Sequence, residues 1–378
     1  MKAAAILTVL AVLIWVRPVA ANSELLLDGV QAEPFLLYRY HLSNGLRIWY
    51  QPRPDSTSVT VLISVDVGSR DETRENNGIS HVLEHLLFTG SKRWNEEQLT
   101  DLISGLGGKW NGMTSTERTV YYAQVAPQDF TAALDWLVEL VFRPRFDPAV
   151  FEKELNVVFQ EKSGAQGALI TALEKLGLGY DLDESVRAVL FEDPAIHYPV
   201  IGQDESLAAL TNAEVLRHYA AYYRPDNMTL IVVGNVQPDA LKTAVLAQLG
   251  GLEANSGSLP RRSPLTPANA GPYEIAVRGP TLSDQVRVMK GFLTVGRSHP
   301  DYWRIEVLTE LLANRLTDVL RYQQGLVYWL GAYQVAFSDG GYFAIATSTA
   351  RADAAAAVTQ IDSALQLLAS NGVEPEEL

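Results

Sequence analysis

The chain has 378 residues, enough for about two domains. Its formal net charge of -14 argues against sequence-independent nucleic-acid binding, which needs a basic surface. With no cysteine there can be no disulfide, thiolate nucleophile or lipidated cysteine anchor, so any metal must be held by His, Asp or Glu.

Residues 1–21 read as a signal peptide. Lys2 precedes a mostly apolar run ending near Val16, the size of a signal-peptide core and short for a membrane span. Val19 and Ala21 supply the small residues before a cut at Asn22. The competing reading is an uncleaved signal anchor. The expected product is an exported protein, in the periplasm first of all and otherwise secreted, with no stable membrane span after signal removal.

The first domain is expected over 22–250. Tyr38 to Gln51 reads as a hairpin around Ser43-Asn44-Gly45, because Asn-Gly is a strong turn signal. Val59 to Val67 is a β-branched strand. A charged loop follows, with Asn76 or Asn77 placed to cap the next helix.

That helix carries His81-Val-Leu-Glu84-His85, the zincin motif His-Glu-x-x-His reversed. Residues four apart share one helix face, so His81 and His85 present two imidazoles to one metal ion. Glu84 lies beside them as a general base for water. The chain has six histidines, and two of them falling around one glutamate at this spacing is improbable by accident. The flanking Val82, Leu83, Leu86, Leu87 and Phe88 are apolar, so the helix is buried and its polar groups need partners.

A helix opens at Asn95 and ends near Gly107-Gly108. Trp110 to Gln124 reads as two strands with a turn near Thr116. Helices follow over Pro127 to Phe142 and Pro148 to about Ser163. Helical segments continue to Tyr223, and then comes the buried strand Met228 to Gly234. Residues 251–272 are rich in Pro, Gly, Ser and Asn and read as a linker. The second domain, 273–378, is expected to hold strands at Tyr273 to Val277, Gln285 to Thr294, Val327 to Ala336 and Gly341 to Ser348. Its helices are expected at Asp301 to Gln324 and Ala352 to Ser370. Pro375 to Leu378 reads as a new helix beginning. The expected fold class is α+β: two related domains, each a mostly antiparallel sheet covered on one face by helices, the second incomplete.

A zinc site needs a third protein ligand. Spacing alone does not choose it, but Glu154 and Glu161 lie two turns apart on one helix face. An ordinary solvated carboxylate pair would look the same.

Together these residues resemble the pitrilysin/insulinase family of inverzincin metallopeptidases, which includes mitochondrial processing peptidases and exported bacterial members. The resemblance implies that Glu161, 76 residues after His85, is the third ligand and that Glu154 supports the site. Asn111, Gly112, Met113, Thr114 and Ser115 resemble the family's edge strand, which pairs with the substrate backbone. Gly112 departs from the family's frequent Ala. Arg321-Tyr-Gln-Gln-Gly325-Leu-Val-Tyr328 resembles a signature whose Arg and Tyr reach the scissile carbonyl.

The implied function is a zinc endopeptidase for peptides or unfolded segments, with one Zn²⁺ per chain and Glu84, Arg321 and Tyr328 as catalytic residues. The family further implies two subunits facing each other around a chamber, as a homodimer or a heterodimer. A non-catalytic peptide-binding or scaffold subunit of the same fold is the alternative. A metallohydrolase of small molecules is a weaker rival, disfavoured by an edge strand suited to backbone pairing.

Overall fold

A computed structural model describes residues 24–31, 35–164, 182–255, 257–268 and 284–373. The expected signal peptide, the strand at 273–277 and the helix start at 375–378 lie outside the described residues.

Seven strands make the larger sheet: β1 (Leu25–Gln31), β2 (Leu37–Leu42), β3 (Arg47–Pro52), β4 (Val59–Val65), β5 (Lys109–Thr114), β6 (Thr119–Val125) and β7 (Met228–Gly234). Their spatial order is β1-β2-β3-β7-β4-β6-β5. The Asn44-Gly45 turn joins β2 to β3, with Gly45 at φ +91° and the Asn44 side chain accepting from the Leu46 amide. Every pairing is antiparallel except β3 with β7, which is parallel. The run Met228–Val233 is almost continuously apolar, as suits a strand in the centre of a sheet.

Alternation sets the two faces. In β6, Thr119, Tyr121, Ala123 and Val125 are buried, while Val120, Tyr122 and Gln124 are half-open. The closed face packs under helices that include α1 (Ile79–Phe88), α2 (Glu96–Gly105), α3 (Phe130–Phe142) and α4 (Pro148–Ser163). Trp136 is fully buried in this core, which also holds Leu83, Leu87, Val141, Ile63 and Leu230.

The smaller sheet has the order β8-β10-β9, from β8 (Gln285–Thr294), β9 (Val327–Ala336) and β10 (Gly341–Ala350). The helix Tyr302–Leu316 packs on it through Leu312 and Leu316. It runs on as π-helix over Thr317–Gln323, so the expected single helix changes pitch before Gly325 at φ +64° ends it. Ala354–Asn371 adds Ala357 and Ile361 to the same small core. Among the described residues no helix is long and apolar enough to cross a membrane.

A buried ionic cluster joins loops of the larger sheet to the β9–β10 turn. The Arg70 guanidinium bonds to Glu117 at 2.6 Å and to Asp339 at 2.7 Å. Glu117 also accepts from the Ser338 amide and hydroxyl, both at 2.8 Å. Arg262 reaches Asp71 at 2.6 Å, so the expected linker is pinned here rather than hanging free.

Candidate metal centre

The metal helix α1 begins where only glycine fits. Gly78 is its N-cap at φ +96°, and a Cβ there would lie 2.8 Å from the Gly202 Cα. This corrects the expected cap. The Asn77 side chain is buried and donates to Glu72 at 2.8 Å and to the Pro199 carbonyl at 3.1 Å. The left-handed turn at Gly78 moves the helix start past both asparagines, and the Glu72 carboxylate takes the capping role.

One turn apart on α1, the His81 and His85 rings meet edge to face with centroids 4.8 Å apart. The Nε2 atoms of both converge on Glu161 Oε2, at 3.6 Å from His81 and 3.4 Å from His85. Helix α4 delivers that carboxylate; it packs against α1, and its Phe151, Leu155 and Val158 are buried. All three ligand atoms lie within 4.8 Å of one another. Glu154, two turns before Glu161 and buried, approaches His85 Nδ1 at 3.8 Å.

These separations suit a shared cation. They exceed N–H···O hydrogen-bond lengths, and donors at about 2.0–2.1 Å from a tetrahedral zinc stand about 3.4 Å apart. Two imidazoles and one carboxylate are also an ordinary zinc donor set with an open fourth position. Burial, helped by neighbouring His85, lowers the His81 pKa to about 4. Its imidazole is therefore neutral and ready to ligate at neutral pH.

Glu84 points from the same helix toward β5. Its Oε2 accepts the Thr114 hydroxyl at 2.5 Å. Burial raises its pKa, and the Thr114 bond pulls the other way. Gly112 faces it: an added Cβ would lie 2.9 Å from Glu84 Oε1 and 2.8 Å from the Phe88 ring. The departure from Ala at this position thus leaves space for the Glu84 carboxyl.

Strand β5 closes one end of the sheet, so among the described residues its outer edge is unpaired within it. Asn111 and Met113 project to solvent. Ser115 lies just beyond β5, and its amide bonds to the Arg118 carbonyl at 2.8 Å. Its backbone is committed and does not extend the free edge.

Arg321 and Tyr328 are not brought to this cluster. Arg321 sits on the π-helical stretch, exposed, with its guanidinium 5.6 Å from the Tyr322 ring centroid. Tyr328 is 56 % exposed on β9. Sequence reasoning missed Glu72, Arg70 and Glu117; for the first two the run Gly68-Ser-Arg-Asp-Glu72 carried the signal, as charged residues in what reads only as a loop.

The fold and the two-histidine helix define a zinc-peptidase-like protein built on two α+β units. Residues 47–176 match the model of the insulinase family (peptidase family M16), and residues 209–378 match that of the peptidase M16 inactive domain. An uncharacterised zinc protease of Mycobacterium leprae is 30 % identical over 344 residues, covering 90 % of this chain and 75 % of that protein. The uncharacterised zinc protease YmxG of Bacillus subtilis is 28 % identical over 348 residues, covering 91 % and 81 %. Among solved structures, a protease from Helicobacter pylori superposes with a TM-score of 0.74 at 19 % identity, covering 90 % of this chain and 81 % of that one. The chain belongs to the insulinase family, peptidase family M16.

Proposed function

We propose that this chain is a zinc endopeptidase acting on peptides and unfolded segments. The observation that carries the reading is the convergence of His81, His85 and Glu161 beside Glu84, which is itself bonded to an open edge strand. His81, His85 and Glu161 would hold one Zn²⁺ per chain, with Glu154 orienting the His85 ring. Zinc bound there supplies Lewis acidity toward water and the peptide carbonyl. Glu84 takes a proton from the attacking water and passes it to the leaving amine. Its raised pKa brings it closer to neutrality, where such a shuttle works best. Thr114 holds the Glu84 carboxyl at the substrate's edge.

The substrate lies along Asn111, Gly112, Met113 and Thr114 as an added strand, giving backbone-directed affinity with little sequence demand. Most strands of a folded protein are already paired or have their edges protected, which selects for extended segments. Arg321 and Tyr328 stabilise the oxyanion from a facing subunit, in a homodimer or a heterodimer. Their exposure, away from the metal residues of their own chain, supports that arrangement. Export to the periplasm follows from the expected signal peptide. A non-catalytic scaffold subunit draws on the inactive-domain description of the second match. All four metal-site residues lie inside the first match, which favours catalysis.

Fluorogenic unstructured peptides and a folded protein of similar composition test this reading. The peptides should be cleaved, the folded protein spared, and cleavage lost to a chelator and restored by zinc. Cleavage that survives complete metal removal would sink it.

A further inference from the structure

The four leading N–H groups of an α-helix have no partner inside it. In α1 two of the amides at this end go to one distant carboxylate. Glu72 Oε2 accepts from the Gly78 amide at 2.7 Å, and Oε1 accepts from the Ser80 amide at 2.9 Å. The Asn77 amide group adds a third bond at 2.8 Å. Glu72 is buried. Ser80 immediately precedes His81.

The segment that carries Glu72 is anchored from outside the helix. The Ser69 amide bonds to the Ser115 carbonyl at 3.2 Å and the Arg70 amide to the Thr116 carbonyl at 2.8 Å. Gly68 lies so close to that turn that a Cβ would sit 2.1 Å from the Ser115 oxygen. Arg70 and Asp71 are held in the buried ionic cluster. The opposite side of the helix end is fixed as well. The Ser206 hydroxyl donates to the Asn77 carbonyl at 2.7 Å, and Ser80 Oγ meets buried His218 at 3.1 Å.

Building on the metal-centre reading above, we propose that Glu72 is a positioning residue that fixes the N-terminal end of the metal helix, so that His81 is presented before any metal arrives. A metal site tolerates errors of only about 0.5 Å in its ligands, so a tether one residue away from His81 acts directly on affinity. Glu72 touches neither metal nor substrate and acts through the backbone of Gly78 and Ser80. A nearby Ser or Asp cap would hold the helix end to its own loop. Glu72 instead ties it to the frame that also bears the end of the substrate strand.

The test compares Glu72→Gln with Glu139→Gln by zinc competition against a chromogenic chelator and by thermal melts with and without zinc. Glu139 is equally buried and bonds to Ser91 and Arg143, away from the start of α1. In Glu72→Gln one acceptor becomes a donor facing N–H groups. Its zinc affinity should fall about ten- to a hundredfold, and the rise in Tm on adding zinc should shrink. Glu139→Gln should melt lower in both states with wild-type zinc affinity. If Glu72→Gln behaves like Glu139→Gln, Glu72 is only a stability residue and the proposal fails.

Amide hydrogen exchange on the metal-free wild type gives a second reading if the variant does not fold. Slow exchange at Gly78 and Ser80 supports a preformed helix end. Fast exchange there, slowed only by zinc, means that the metal organises the helix and overturns the proposal. Neither readout uses peptidase activity. A wild type that binds no zinc would therefore defeat the proposed function, while exchange at these amides would still decide the role of Glu72.

Discussion

Two arginines show how differently the two halves of the molecule are built. Arg70, beside the metal helix, is fully buried and bonds to Glu117, Asp339 and the Ser263 carbonyl. Arg321, on the second half, lies exposed over a tyrosine ring. The charges of the first half are buried and paired, in a cluster that also takes in Ser338 and Asp339 of the second. On the reading proposed here, the second half offers its arginine and tyrosine outward, to whatever completes the site.

The contrast is broken most strongly at Arg70. Removing one partner of a buried ion pair strands the others, so Arg70→Ala should cost about 3–5 kcal/mol in denaturant melts. A cost near zero would mean that the cluster is solvated and holds nothing. Arg321→Ala should do the reverse: stability within about 0.5 kcal/mol of wild type, with kcat/KM down about 10²–10³-fold, as for loss of an oxyanion donor. Unchanged cleavage would remove Arg321 from the mechanism.

Acid provides the next test. Burial lowers the His218 pKa from 6.5 to about 4. Between these values the unfolded chain binds the proton and the folded chain does not. Stability is therefore present above pH 6.5 and is lost as pH falls toward 4, by about 3 kcal/mol at most. His218→Gln should flatten that limb, provided it is read as the difference from wild type. Glu72, raised by burial to about 7, acts in the opposite sense, losing stability as pH rises from 4.5 through 7. A His218→Gln curve parallel to wild type would show that His218 is not buried neutral. The smallest expected effect is Glu154→Gln, which should weaken zinc binding about tenfold without abolishing it, as for a residue that orients a ligand. Complete metal loss would make Glu154 a ligand itself.

Much of this was legible in the sequence. The reversed zincin motif, the helix Pro148–Ser163 and the strands Met228–Gly234, Gln285–Thr294 and Val327–Ala336 follow from local periodicity and recur with the same bounds. What escaped was non-local. Strand β7 enters between β3 and β4 from more than a hundred residues away, and no local pattern records that pairing. Strand β1 was missed because its side chains are largely exposed and carry no clean alternation. Propensity recommends Asn76 or Asn77 as the cap on α1. Glu72 holds it instead, because a carboxylate bonding to amides six and eight residues on leaves no periodic trace. Composition also does not show where a strand yields to its turn, so the end of β5 at Thr114 is not legible beside Ser115.

The most direct measurement is zinc content and single-turnover cleavage of an unstructured reporter peptide, for the wild type and Glu84→Gln side by side. The account predicts one zinc per chain in both proteins, with cleavage in the variant slower by about 10²–10⁴-fold. Equal cleavage by both proteins, or no zinc in either, would contradict it.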